Sequence, residues 1–236
     1  MSIQFGDTRI GEMRYNGANI VEAMYDGQIV WQAGGLTPYE LGAIHWLPFN
    51  DDPLEDIGTA PATWQEFQTP TVSGGALVSG RVRYPANSTY DPANGSTVTG
   101  WVRNTSTSIT YGNAPLSATA SYSKIEFRAN SAGSARWAFR RGAATAQIII
   151  AGTVPEGWAF IAACMEPVSG TTWRYRAYIN GDEVVNDTYD AGTQHAVTFN
   201  SALFDARYAD ISDAAIYNHA LTPQDIADLH DAGRTT

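Results

Sequence analysis

Three dipeptides constrain this chain more than any other feature: Asn16-Gly17, Asp26-Gly27 and Asn180-Gly181. A two-residue type I′ hairpin turn needs φ > 0 at both central positions, and Asn or Asp followed by Gly meets that need at least steric cost. Each dipeptide here lies between strand-length segments, so each points to an antiparallel hairpin. The stretches between them agree. "SKIEFRA" sets Ile125, Phe127 and Ala129 on one face and Lys124, Glu126 and Arg128 on the other. "SARWAFRRG" repeats the alternation, with Ala135, Trp137 and Phe139 inward. "GWAFIAACM" and "AQIIIAG" are too apolar for a half-exposed strand and read as central strands. Many short strands separated by Gly- and Asn-rich turns predict an all-β sandwich or jelly roll.

The first hairpin signals belong to a repeat. Phe5, Tyr15 and Tyr25 are spaced by ten residues, as are Ile10, Ile20 and Val30. Residues 3–32 read as a small three-stranded β-meander, and Gly34-Gly35 interrupts the pattern. So short a segment cannot bury a core of its own. The expected organisation is a repeat over residues 1–33, a linker over 34–42 and a sandwich over 43–236. The meander has to dock on its own sandwich, on copies of itself or on a partner. Tyr15, Ile20, Tyr25, Val30 and Trp31 are its expected docking residues, because open strand edges invite a partner strand or must be covered.

One helix is expected, in "ALTPQDIADLHDAG". Thr222 is placed as N-cap, Pro223 at the first helical position and Asp225 at the third, and Gly233 ends it. Ile211, Ile216 and Leu221 are expected core residues just before it.

The closing segment "YADISDAAIYNHALTPQDIADLHDAG" resembles the end of laminin-G-like, concanavalin-A-like lectin/glucanase domains. In that family a last strand ending Ile/Val-Tyr-Asn-Arg-Ala-Leu is followed by a capped short helix. His219 here stands where Arg is usual, and Ser212-Asp213 replaces the commoner acidic pair. "AIHWLPFNDDPLEDIG", "TVTGWVRN", "GWAFIAACME" and "YRAYINGDEV" resemble earlier strands of the same family, in order. The resemblance spans roughly residues 43–233 and implies a jelly-roll β-sandwich of glycan-binding type with one short C-terminal helix. The N-terminal repeat resembles the short aromatic-x-Gly repeats that begin many tailed-bacteriophage tail and virion-surface proteins. That resemblance implies a docking element.

Composition narrows the function further. With a net charge of −10 and a pI of about 4.7, the chain repels nucleic acid. No apolar run reaches the ~18 residues of a membrane span, and "MSIQFGDTRI" carries no secretory signal pattern. Cys164 is the single cysteine, set in an apolar run, and reads as a buried thiol rather than a nucleophile.

Chemistry is sparse. Glycoside hydrolysis needs two facing carboxyl groups, about 5–5.5 Å apart for retention and about 6.5–9.5 Å for inversion. The Glu-x-Asp-x-Glu strand that supplies them in retaining relatives is absent; Glu126 is the sole acid of its strand, and Asp182-Glu183 follow a turn. His45, His195, His219 and His230 have no metal-ligand spacing. The loop "FNDDPLED" clusters Asp51, Asp52, Glu55 and Asp56, oxygen ligands that suit Ca²⁺, with Asp51, Asp52 and Asp56 the candidate ligands; a solvated turn is the alternative. Asp205, Asp210 and Asp213 form a second such candidate. No other cofactor is expected. Glycan sites stack sugar faces on exposed rings, and Trp64, Tyr84, Tyr90, Tyr111 and Tyr122 lie near loop-like sequence, but no glycan-binding residue is assigned.

These observations converge on a non-enzymatic structural protein of a tailed-phage virion surface, assembled in the host cytoplasm. The expected role is a minor tail or receptor-contacting protein whose sandwich meets a host-surface glycan. Its expected partners are other virion proteins and copies of itself, a trimer by analogy with phage surface proteins, with no nucleic acid and no membrane insertion. A capsid decoration protein and a carbohydrate-active enzyme are the competing readings.

Overall fold

The computed structural model describes residues 13–15, 18–20, 22–25, 28–32, 37–83, 95–104, 116–119, 124–131, 135–141, 147–153, 157–170, 172–190, 201–206 and 209–234.

The N-terminal repeat forms two short hairpins. In the first, β1 (Met13–Tyr15) pairs antiparallel with β2 (Ala18–Ile20), and Tyr15 faces Ala18. In the second, β3 (Glu22–Tyr25) pairs with β4 (Gln28–Gln32), and Tyr25 faces Gln28. Both ladders therefore close over the two-residue gap expected of Asn-Gly and Asp-Gly. Among the described residues the expected meander appears as two ladders, β1–β2 and β3–β4, with residue 21 between β2 and β3 outside the described residues. The middle segment is divided between them, its first half pairing back toward residue 13 and its second half forward toward residue 32. Among the described residues, each half pairs with the strand next to its own turn.

The remaining strands form one antiparallel hydrogen-bonded path. They are β5 (His45–Leu47), β6 (Gln65–Val72), β7 (Leu77–Arg83), β8 (Ser96–Asn104), β9 (Leu116–Thr119), β10 (Lys124–Ser131) and β11 (Ala135–Arg141). β12 (Gln147–Thr153), β13 (Trp158–Ser169), β14 (Thr172–Ile179), β15 (Asp182–Asp190), β16 (Ser201–Asp205) and β17 (Ala209–Tyr217) complete it. The path runs β12-β11-β10-β9-β16-β7-β17-β8-β13-β14-β15, with β5 added to β17 and β6 to β7.

The path folds back on itself at β17. That strand touches β7 through a single pair, Ile211 with Leu77, but runs along β8 from residue 209 to 217 with a break in register between Ser212 and Ala215. Asp213, at the break, has φ 49°, the left-handed region that bends a bulged strand. Leu77, Val82 and Phe204 from one half then meet Val98, Val102, Ile161 and Tyr175 from the other in a shared core. The result is the expected jelly-roll-type sandwich.

In the β10–β11 ladder, Phe127 stands opposite Phe139 and Ala129 opposite Trp137 in register. The Asn180-Gly181 turn also forms as expected, with φ 51° and 83° and a single pair, Ile179 with Asp182, closing it. Asn180 ties that turn to β13: its Oδ1 accepts from Phe160 N at 2.9 Å.

β13 explains its own apolar sequence. Ile161, Ala163 and Met165 enter the sandwich core. Phe160, Ala162 and Cys164 face the opposite side, where Leu221, Ile226 and Leu229 lie over them. Those three belong to the closing segment and to α1 (Pro223–Ala232), so one helix covers the outer face of the sheet. Thr222 caps α1 as expected: its hydroxyl accepts from Asp225 N at 3.1 Å, and Asp225 Oδ2 accepts from Thr222 N at 3.0 Å. Ile211, Ile216 and Leu221 are buried, as the sequence suggests. Part of the expected linker is packed as well. Residues 37–42 form a turn in which Glu40 Oε2 accepts from Thr37 N at 2.8 Å, and Leu41 lies against the helix-side core. Among the described residues no helix is long and apolar enough to cross a membrane.

Candidate functional site

β17, β8 and β13 are neighbours in register, and this places Asp210, Arg103 and Trp158 in one row across three strands. The next row on the same face is Ser212, Trp101 and Phe160. α1 covers that second row: His230 stacks on the Trp101 indole with ring centroids 5.8 Å apart and an interplanar angle of 25°. The helix ends there. The chain beyond it returns over the first row, so that the Arg234 guanidinium carbon stands 4.0 Å from the Trp158 ring centroid. Arg103 also stacks on Trp158, its guanidinium carbon 5.0 Å from the same centroid. An indole holding two guanidinium groups is a cation–π arrangement that fixes both planes.

The charges in this row are unevenly satisfied. Arg103 donates through Nε to Asp210 Oδ2 at 2.8 Å and adds a second bond from Nη2 to the same oxygen. The Asp210 side chain is 5% exposed, that of Arg103 47%. Arg234 donates from Nη2 to the Gly74 carbonyl at 3.0 Å, while its Nε is buried with no hydrogen-bond partner among the described residues. Burial pushes Arg234 below the ordinary guanidinium value; the Asp213 carboxylate opposes this and neighbouring Arg103 reinforces it. The row is therefore an edge where a half-buried indole and two cations meet solvent beside a buried carboxylate. Such a set can hold a polar or anionic ligand by charge-assisted hydrogen bonds.

The acidic loop is built differently from a calcium site. Asp56 turns inward, its side chain 1% exposed. Its Oδ1 accepts from Trp46 N and Gly58 N, both at 3.0 Å. Its Oδ2 lies 2.8 Å from His45 Nδ1 and accepts from Ala62 N at 2.9 Å and the Trp64 indole at 3.0 Å. Burial alone would raise the Asp56 pKa, but these hydrogen bonds outweigh it and hold the carboxyl below the usual range. Gly58 lets the loop close this tightly, because a Cβ there would stand 2.4 Å from the Ile44 carbonyl. Asp51 and Asp52 stay exposed, and Asp52 Oδ1 accepts from Leu54 N at 2.8 Å in a local turn. The three do not converge, and the described residues contain no group of three His, Cys, Asp or Glu arranged for a metal.

The second acidic candidate is also dispersed. Asp205 pairs with Arg81 at 3.1 Å, Asp210 with Arg103, and Asp213 accepts from the Trp46 indole at 3.4 Å and the Ser212 hydroxyl at 3.1 Å. Trp64 is a core residue instead of a sugar platform. It is 2% exposed, and its ring stacks on Phe204 with centroids 5.0 Å apart. Tyr84, Tyr90, Tyr111, Tyr122 and His195 lie outside the described residues. So do the side chains of Tyr15, Ile20, Tyr25, Val30, Trp31 and Glu126. Glu183 accepts from Tyr178 Oη at 3.1 Å and Asn186 Nδ2 at 3.0 Å. Cys164 is buried, and desolvation raises its thiol to about 11, so no thiolate forms near neutrality.

Sequence reasoning missed Trp158, Arg103 and Arg234. Each strand segment was read singly, and only the register between strands brings the first two together. Arg234 lies beyond the helix stop, where no periodicity remains to place it.

A family model described as the concanavalin A-like lectin/glucanases superfamily matches residues 74–227. A sequence search of curated proteins finds no match. Among solved structures, a botulinum neurotoxin type C, whose way into cells depends on interaction with two ganglioside molecules, aligns at 15% identity and TM-score 0.58. The alignment covers 82% of this chain and 52% of that one. The receptor binding domain of botulinum neurotoxin D aligns at 14% identity and TM-score 0.57, over 80% of this chain and 52% of that one. This chain thus spans about half the length of the neurotoxin chains. Domain 4 of AbnA, a GH43 extracellular arabinanase from Geobacillus stearothermophilus solved in complex with arabinotriose, aligns at 18% identity and TM-score 0.52. There the match covers 80% of this chain and 98% of that domain. At these identities the solved structures speak for the fold alone, and the sequence match speaks for the family: the chain belongs to the concanavalin A-like lectin/glucanases superfamily.

Proposed function

We propose that this chain is a non-catalytic structural protein of a tailed-phage virion surface, a minor tail protein whose sandwich contacts a host-surface glycan. The observation that carries the reading is a division of labour in the backbone. A lectin-type sandwich is preceded by two hairpins that, among the described residues, share no ladder with it. Hairpins so short are marginal alone and are completed by whatever they dock on. The sandwich is left free to bind.

Binding is favoured over catalysis by the state of the buried acids. Asp205 and Asp210 are held by arginines, and Asp56 and Asp213 by hydrogen-bond donors. A glycosidase needs one carboxyl group poised as acid and a second facing it across a cleft. The neurotoxin structure named for gangliosides and the arabinanase domain holding arabinotriose support a saccharide ligand by analogy of fold.

Gold-labelled antibody against residues 43–236, imaged on intact particles, is expected to mark the tail tip. The purified protein is expected to compete with particles for adsorption to host cells and to release no reducing ends from a broad polysaccharide panel. Label on the capsid shell would replace this reading with a decoration role. Reducing-end release abolished by one Asp or Glu substitution would make the protein an enzyme.

A further inference from the structure

We propose that the Trp158 row reads the carboxylate of an acidic saccharide, a hexuronate or a sialic acid, through Arg234 and Arg103. The inference rests on the glycan-binding reading above and adds the ligand's charge.

The geometry separates this edge from an ordinary sugar platform. An indole that stacks on a neutral pyranose needs an open face. Trp158 instead carries two guanidinium groups, with carbons 4.0 and 5.0 Å from its centroid. Its role here is to orient cations, and the cations present the hydrogen-bond donors. Arg103 commits Nε and Nη2 to Asp210, and among the described residues its Nη1 has no acceptor. Arg234 commits Nη2 to the Gly74 carbonyl, a neutral acceptor, and its Nε has none. Arg234 thus has no carboxylate within ion-pair distance among the described residues, although it is half-buried and stands beside a second arginine. A half-buried cation without a bound anion is costly, and an external carboxylate would complete it with charge-assisted bonds.

The rest of the molecule makes this edge selective. The chain carries a net charge of −10, which disfavours anionic ligands in general. An acidic glycan would therefore bind where free guanidinium donors face solvent, as they do here although Asp210 and Asp213 offset part of the arginines' charge, and more weakly as salt screens them. Asp210 adds a second discrimination. It holds Arg103 from the sheet side, so a ligand carboxylate has to approach from solvent and share the guanidinium instead of displacing its partner.

The test is calorimetric titration of the full chain with four probes: oligogalacturonate, its carboxyl-reduced neutral counterpart, sialyllactose and lactose. The expected result is binding of at least one acidic probe about tenfold or more tighter than its neutral partner, as one charged hydrogen bond supplies. That preference should fall as salt is raised. Arg234→Gln, which keeps a donor for Gly74, should bring the acidic and neutral affinities together with little change in melting temperature. Arg234→Lys, which keeps charge but loses the planar fork, should fall between. The uronate and sialate arms identify the source of the carboxylate. Equal binding of acidic and neutral probes, or an acidic preference that survives Arg234→Gln, overturns the carboxylate site and leaves the glycan reading standing. Absence of binding to any glycan on a broad array removes both.

Discussion

The Trp64 indole donates to Asp56 Oδ2 at 3.0 Å, and through that bond an acidic loop residue becomes the anchor of a buried aromatic. Five donors or ring nitrogens converge on the two oxygens of Asp56. Asp56→Ala would strand backbone N–H groups of three residues and one indole N–H, each at a cost of about 1–3 kcal/mol if left unsatisfied. The expected loss is more than about 4 kcal/mol, read from urea unfolding. Because the folded carboxyl lies below its ordinary value of 3.8, its contribution is fully present above that pH and is lost as pH falls through the depressed folded value. Added Ca²⁺ is expected to leave the melting temperature unchanged, since the inward oxygens are already occupied. A rise with Ca²⁺ that vanishes in Asp51→Asn would restore the cation site.

Asp205 moves the other way. Burial pushes its carboxyl up to about 6 from 3.8, against the opposing pull of Arg81. A folded value above the unfolded one means that the folded state binds the proton more tightly. This group's contribution therefore favours folding at low pH and is lost as pH rises from about 4 to about 6. The loss is at most about 3 kcal/mol. Urea midpoints measured across that window for the native chain and for Asp205→Asn should diverge, the native chain losing stability relative to the variant. Parallel curves would show that Arg81 keeps the carboxylate ionised throughout.

The helix cap gives a third expectation. Thr222→Ala removes the hydroxyl's bonds with Asp225, leaving the backbone half of the capping box, and should cost about 0.5–2 kcal/mol. Ile226 is fully buried against the outer face of the sheet, so Ile226→Ala should cost roughly 2–5 kcal/mol. Deleting residues 222–236 should lower the melting temperature further by uncovering Phe160, Ala162 and Leu221. An unchanged melting temperature would mean that α1 is an ornament on a self-sufficient sandwich.

The features legible in the sequence were those set by local geometry. Asn180-Gly181 needs positive φ at adjacent residues, and Thr222-Pro223-x-Asp225 encodes its own cap, so both read directly. β13 was legible as a central strand because both of its faces are apolar, although only the structure shows that one face meets α1. Illegible features depended on long-range register. Asp56 looks like any acidic loop residue until Ala62, Trp64 and His45 are folded around it. Trp64 looks like a loop aromatic until Phe204, far along the chain, stacks on it. The Asp210–Arg103–Trp158 row joins three strands whose mutual offset no single segment encodes.

The final prediction concerns the hairpins and carries the docking role. Among the described residues β1–β2 and β3–β4 share no ladder with the main sheet, and each strand is three to five residues long. Two-stranded ribbons of this length are marginal in water, and their open edges offer unpaired N–H and C=O groups to another chain. Residues 37–42 already pack on the sandwich through Leu41, so a cut at residue 34 is expected to spare the sandwich. A chain lacking residues 1–34 is expected to keep the melting temperature of the full chain to within a few degrees. It should also run as a monomer in light scattering, where the full chain is expected to self-associate, and be absent from particles when supplied in place of the full chain. Replacing Tyr15 and Tyr25 by Ser should reproduce the loss, if the repeated aromatics make the contact. A truncated chain that still assembles at full occupancy would show that the sandwich docks by itself and that the hairpins only extend it.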